Sequence, residues 1–244
     1  MIHHYHFKEI ASTNDTIKEL LEEHERVIVT ADVQISGRGR NSRSWLGNTG
    51  DNVYFSYGTR QCSTMSSTEL SLNQAVGCIA AREALVKVCG ADIFKLKYPN
   101  DIMVNTENGF RKICGVLVEN SFSGSVCQSS VIGIGINVNQ SSFPLEIESK
   151  AISLKMLGFD VAMKDIIKAL QETIQIWIFK RSEEVFFEWY RQLNIIGRDI
   201  NIAGRDGLWE AVFLMEDGRL KVRSQADNET MIISDLDSIT YKYD

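Results

Sequence analysis

The chain has 244 residues, a length for one or two domains that can bury a core without disulfides or a structural metal. Hydrophobic residues make up 44% and charged residues 24%, with only two prolines, which excludes Pro-rich linkers and low-complexity disorder. The net charge of −6 argues against non-specific nucleic-acid binding but leaves room for a local basic site. No run of about 18 apolar residues occurs, so no membrane span is expected. The N-terminus lacks a basic stretch followed by an apolar one, so the expected location is cytoplasmic. The five cysteines form an odd set without a C-x-x-C pair and read as free thiols.

In chain order, His3, His4 and His6 fall on a short edge strand, where alternation puts His4 and His6 on one face with no acidic or Cys neighbour, so no side-chain metal cluster is expected. Residues 13–24 read as a helix capped by Ser12 or Thr13, with Ile17, Leu20 and Leu21 as its apolar stripe. A buried strand follows at 26–30, then a glycine-containing loop over 33–51, then a strand over 52–59. Ser66-x-x-Glu69 is a capping-box signature for a helix that runs to Cys89 and stops at Gly90. Strands are expected near 93–97, 101–105, 112–119 and 126–137, with hairpin turns at Asn108-Gly109 and Ser123-Gly124. Residues 141–160 carry no clear period. Helical stretches follow over 165–179 and 183–193.

After Gly197, short runs are separated by Asp206-Gly207, Asp217-Gly218 and Asp227-Asn228, a pattern for a small barrel. The order of elements gives an α+β class. The expected division is a catalytic domain over 1–193 and a small domain over 194–244.

Four segments carry candidate chemistry. Residues 34–45 hold Arg38, Arg40 and Arg43 with no acidic residue between Asp32 and Asp51. Glycines at 37 and 39 allow close backbone approach, guanidinium groups suit carboxylate and phosphate, and Trp45 offers a flat face. The spacing matches neither the phosphate-loop nor the G-x-G-x-x-G pattern. Lys97 to Asp101 places a lysine at a strand end before Pro99. Residues 112–119 and 133–139 are apolar strands interrupted by glycine, and Asn137 is a polar group that needs a partner there. Taken singly, each segment also reads as an ordinary turn or buried hairpin.

Together, Ser12-Thr13-Asn14, Gly37-Arg38-Gly39-Arg40 with Trp45, Lys97-Tyr98-Pro99-Asn100-Asp101, Lys112-Ile113-Cys114-Gly115 and Gly133-Ile134-Gly135-Ile136-Asn137 resemble the biotin protein ligase family, in its usual order. The likeness covers about residues 10–140. Tyr98 stands where that family usually has Trp, and Asn41-Ser42 replaces a Gly-containing pair. Only eleven residues precede Ser12, so the family's N-terminal DNA-binding domain is not expected.

The resemblance implies a mixed-sheet, class II synthetase-like catalytic domain followed by an SH3-like barrel. It implies that biotin and ATP, with Mg²⁺, form biotinyl-5′-AMP, and that biotin then passes to a lysine of a biotin carboxyl carrier domain. By the same resemblance, Ser12, Thr13, Asn14, Gln34, Gly37, Arg38, Gly39, Arg40, Lys97 and Gly115 would meet biotin. Arg38, Arg40, Arg43, Trp45, Asn100, Lys112 and Asn137 would meet the nucleotide. Arg38, Arg40, Lys97 and Asp101 would act in the chemistry, with Asp101 orienting or deprotonating the acceptor lysine. The loop from Arg38 to Trp45 is expected to order around ligand. A lipoate or octanoate ligase of related fold is one alternative, and an RNA-binding module is another. A homodimer through an exposed sheet edge is open.

Overall fold

In a computed structural model, described for residues 1–40, 44–45, 47, 50–234 and 239–241, the chain forms two sheets and five α-helices among those residues. The expected roles of Asn41, Ser42 and Arg43 fall outside the described residues.

The larger sheet has seven strands. They are β1 (His3–Ile10), β2 (Arg26–Gln34), β3 (Asn52–Ser63), β4 (Phe94–Lys97), β5 (Asp101–Thr106), β6 (Gly109–Ser123) and β7 (Val126–Asn137). Their spatial order is β1-β2-β3-β7-β6-β5-β4. β1 and β2 pair in parallel, joined by helix α1 (Thr13–Leu20), and the other pairings are antiparallel, so the sheet is mixed. The hairpin turns fall where expected, with positive φ at Gly109 and Gly124. β1 is the edge strand its histidines suggested, and His4 and His6 are exposed.

Strand alternation assigns the two faces. Ile28, Ile132, Ile134 and Ile136 point to one side, where α2 (Ser67–Cys89), α4 (Met163–Ile178) and α5 (Ser182–Leu193) cover them. Val27, Val29 and Val131 point to the other side and meet Ile17 of α1 and Leu21, which caps it. α1 lies close to β3 at Gly58, where a Cβ would sit 3.0 Å from Leu21 and 3.1 Å from Ile17. It does not continue to residue 24, because turns at Glu22 to His24 end it. β2 in turn runs four residues past Thr30, since its partner β1 continues the ladder to Gln34.

The capping box on α2 is present: Glu69 N–H donates to Ser66 Oγ at 3.2 Å, and Ser66 N–H donates to Glu69 Oε2 at 2.8 Å. Gly90 ends the helix with φ 64°. The aperiodic stretch after β7 holds only a four-residue helix, α3 (Leu145–Glu148), and a short 3₁₀ turn at Lys155–Leu157.

The second sheet contains β8 (Asp199–Ile202), β9 (Trp209–Leu214), β10 (Leu220–Ser224), β11 (Thr230–Ile233) and β12 (Ile239–Tyr241), in the order β11-β10-β9-β8-β12. Its described pairings are antiparallel, and none closes it between β11 and β12 among the described residues. Its buried residues join the core beneath α2 and α5. No described helix is long and apolar enough to cross a membrane.

Candidate functional site

The strand register lines up a row of residues across the sheet. Lys97 faces Asp101, Asp101 faces Gly115, Gly115 faces Gly135, and Gly135 faces Tyr54. One step along, Leu117 faces Gly133 and Gly133 faces Ser56. These residues share the face that α1 covers only in part, and the uncovered part is a cavity of about 660 Å³. Ser12, Thr13, Asn14, Gln34, Arg38, Gly39, Arg40, Trp45, Lys97, Asn100, Asp101, Lys112, Gly115 and Asn137 all line it. Gly37 is buried beside it and does not line it.

One end of the cavity has a polar floor. Thr13 donates from both its backbone N–H (2.6 Å) and its hydroxyl (2.8 Å) to Gln34 Oε1. With that oxygen doubly used, Gln34 keeps its amide N–H groups for another partner. Asn14 Nδ2 donates to Glu119 Oε2 at 2.8 Å, and Ser56 Oγ lies 2.6 Å from Asn14 Oδ1 and 2.7 Å from Thr13 Oγ1. A carboxylate can only accept, so Glu119 fixes which way the Asn14 amide points. The sheet must come close here: a Cβ on Gly133 would sit 2.4 Å from Asn14 Oδ1.

The middle of the cavity is the glycine pair. The Trp45 ring lies over both members, at 2.9 Å from a Cβ placed on Gly115 and 2.7 Å from one placed on Gly135. Trp45 is held there by its N–H bond to Gly37 O (2.9 Å) and by an antiparallel bridge between Arg38 and Ser44. Its indole Nε1 is buried with no acceptor among the described residues. Lys112 Nζ sits 5.2 Å from the Trp45 ring centroid and 2.6 Å from Asp101 Oδ1.

Cations gather around that pair. Arg40 donates to Asn100 Oδ1 at 3.0 Å, and Asn100 is itself fixed by donating to Val116 O at 2.7 Å. Burial pushes the Lys97 ammonium below the ordinary lysine range, and nearby Asp101 opposes that shift. Lys150 adds a further positive charge, while Asp101 is the one carboxylate among the described lining residues. A chain of net charge −6 thus concentrates positive charge in one cleft, a field suited to an anionic ligand.

Sequence reasoning missed two parts of this arrangement. The first is the far wall, where Phe143, Ile147, Lys150 and Ala151 come from the aperiodic stretch after β7. That stretch is docked on β6 by Lys112 N–H to Lys150 O (2.7 Å) and Ile152 N–H to Lys112 O (2.9 Å). Asn137 finds the partner it needed in Ile152 O at 3.1 Å. The second is the acidic pair Asp15 and Glu119, which neutralises Arg38 from distant parts of the chain. Ile239 and Thr240 of β12 also reach the cavity.

Residues 6–137 match the biotin/lipoate A/B protein ligase family. The chain belongs to this family. It is 38% identical over 150 residues to the bifunctional ligase/repressor BirA of Bacillus spizizenii, covering 59% of this chain and 44% of that protein. It is 33% identical over 111 residues to the biotin–[acetyl-CoA-carboxylase] ligase of Paracoccus denitrificans, covering 45% of this chain and 43% of that protein. The matches thus span less than half the length of these curated relatives. The solved biotin protein ligase from Aquifex aeolicus, in complex with biotin and ATP, superposes with a TM-score of 0.73 at 27% identity, covering 98% of this chain and 99% of that one. The family match ends at residue 137, and the superposition on that structure extends over both sheets.

Proposed function

We propose that the chain is a biotin protein ligase, with a catalytic unit over 1–193 and a smaller unit over 194–244. The observation that carries this reading is a single cavity with a polar floor at Ser12 to Asn14 and Gln34 and a cationic middle at Arg40, Lys97 and Lys112. A ureido ring needs the first, and a carboxylate beside a phosphate needs the second. An apolar-ringed acyl chain such as lipoate makes no use of the polar floor.

In the first step, a biotin carboxylate oxygen attacks the α-phosphorus of ATP. The bond to the β-phosphate oxygen breaks, giving biotinyl-5′-AMP and pyrophosphate. Two anions must meet, and Arg40 and Lys97 offset their repulsion and the charge that grows on the transferred phosphoryl group. The glycine pair lets Trp45 lie close to the sheet, and Trp45 and the Phe143–Ile147 wall exclude water from the adenylate. Mg²⁺ supplies further charge neutralisation on the phosphates. Among the described residues Asp101 is the single lining carboxylate, and it is paired with Lys112, so the metal's oxygen ligands would come mainly from ATP itself.

In the second step, the ε-amine of a carrier-domain lysine attacks the carboxyl carbon. The bond to the phosphate oxygen breaks, AMP leaves, and the amine loses a proton. In this reading Asp101, which lies in the cavity row, orients the acceptor lysine or takes that proton. The acceptor would be a biotin carboxyl carrier domain of a biotin-dependent carboxylase.

The test is biotin-dependent ATP–pyrophosphate exchange by the purified protein, with lipoate run in parallel. Exchange with biotin and not lipoate is the expected result. Exchange with lipoate alone would move the chain to the other branch of its family.

A further inference from the structure

Arg38 is the most fully paired of the described cations at the cavity: two carboxylates close on it, whereas Lys112 has Asp101. Its guanidinium forks onto Asp15, with Nη1 to Oδ2 and Nη2 to Oδ1 both at 2.6 Å, and Glu119 Oε1 lies 3.5 Å from Nη2. That is the short, bidentate geometry of a strong charge-assisted pair. Lys18 stands 3.6 Å from Asp15 and 3.4 Å from Glu119, so two cations and two carboxylates close on one another. Arg40, by contrast, has the neutral amide oxygen of Asn100 as its partner among the described residues.

The cluster also ties together three elements that wall the cavity. Asp15 is in the first turn of α1, one residue past Asn14. Glu119 lies on β6 and holds the Asn14 amide. Arg38 begins the strip that bridges to Ser44 and Trp45. To offer Arg38 to a phosphate, the protein would have to strip it of a bidentate partner and leave two carboxylates facing the incoming anion.

Resting on the ligase reading above, we propose that Arg38 is a positioning residue: Asp15 and Glu119 latch it, and with it the Gly37–Arg40 strip, against α1 and β6. The cations that face the reacting carboxylate and phosphate are then Arg40 and Lys97. Asp15 and Glu119 contribute to substrate binding although neither touches substrate.

The test compares Arg38→Lys, Arg38→Gln, the pair Asp15→Asn with Glu119→Gln, and Arg38→Gln combined with that pair. Glutamine at 119 keeps an oxygen for Asn14 Nδ2, so the polar floor survives while the charge is removed. Lysine at 38 keeps the charge and loses the fork. Two quantities are read: the biotin KM and kcat of ATP–pyrophosphate exchange, and the hydrogen-exchange rate of the Trp45 amide, which bonds to Gly37 O.

The latch requires every variant, Arg38→Lys included, to raise the biotin KM by about fivefold to tenfold with a smaller change in kcat. It also requires the Trp45 amide to exchange faster, and the combined variant to be no worse than Arg38→Gln. The proposal is overturned if the carboxylate pair can be neutralised without effect on KM and on the Trp45 amide. It is equally overturned if Arg38→Lys keeps full activity while Arg38→Gln lowers kcat by about 10²-fold or more. If the unmodified chain shows no biotin-dependent exchange, the ligase reading fails, and the Trp45 amide across the same variants still decides the latch.

Discussion

Lys97 is the last residue of β4, and its ammonium is held in a partly dehydrated place beside Asp101 and Lys112. Its pKa is lowered, first by burial and then by the Lys112 charge, against the pull of Asp101. Between that lowered value and the ordinary lysine value of about 10.4, the unfolded chain binds more protons than the folded one. Stability therefore rises with pH through this window, and the burial penalty is fully present only below the lowered value. In an NMR titration of labelled lysines, Lys97 is expected to have a midpoint below those of exposed lysines, and added pyrophosphate should move it upward. An ordinary midpoint would mean that the ammonium is well hydrated. Lys97→Met should lower exchange activity by about 10²–10³-fold without lowering stability. Two glycines make a finer test. Gly133→Ala pushes a methyl into Asn14, and Gly135→Ala pushes one into Trp45. The first should raise KM for biotin and the second KM for ATP, each by about tenfold, and kinetics with each substrate varied in turn would separate them.

At the scale of elements, α2 was legible because its signals are local. Ser66 and Glu69 satisfy each other's end of the helix, and Gly90 adopts the left-handed conformation that terminates it. Ser66→Ala should destabilise the fold by about 1 kcal/mol, read as a shift in the urea midpoint with an unchanged slope. The stretch after β7 was not legible, because a four-residue helix has too few positions to show a period. It is held instead by Asn137, by the backbone of Lys112, and by Ser153 Oγ donating to Gln140 O at 2.6 Å. The cysteines divide by element. Cys78 on α2 and Cys114 on β6 are buried, and that burial pushes the Cys78 thiol up to about 12 and raises the Cys114 thiol well above its ordinary value. Cys62, near the end of β3, is exposed. Alkylation of the native protein at neutral pH should therefore mark Cys62 first and reach Cys78 and Cys114 only on unfolding, as peptide mapping would show.

For the whole molecule, Tyr98 is the joint between the two sheets. Its ring packs against Trp189 at 6.5 Å, its hydroxyl donates to Gly218 O at 2.9 Å, and its backbone N–H donates to the Tyr241 hydroxyl at 2.8 Å. A tryptophan here would place its indole N–H elsewhere, so the aromatic exchange read from the sequence comes with a hydrogen bond of its own. Tyr98→Phe keeps the packing and removes that bond. It should destabilise the protein by about 1 kcal/mol in thermal melting. Because Lys97 precedes this joint and Thr240 lies at the cavity, the same variant should also change exchange kinetics. An effect on stability without one on kinetics would show that the second sheet does not help to aim Lys97.

By itself the sequence determined what is written in short-range chemistry: the strands and their hairpin glycines, the box that starts α2, the mixed α+β class, and the motifs whose order resembles one family. Those signals are local because a turn, a cap or a strand face depends on residues a few positions apart. Only the tertiary structure decided how charges pair. Asp15 and Glu119 are 23 residues before and 81 residues after Arg38, yet both close on its guanidinium. The basic loop that looked unneutralised is thus neutralised at Arg38, and the row from Lys97 to Tyr54 exists only because strand register sets five chain segments side by side. Electrostatics and close packing act through space, and distance in space is what the fold supplies.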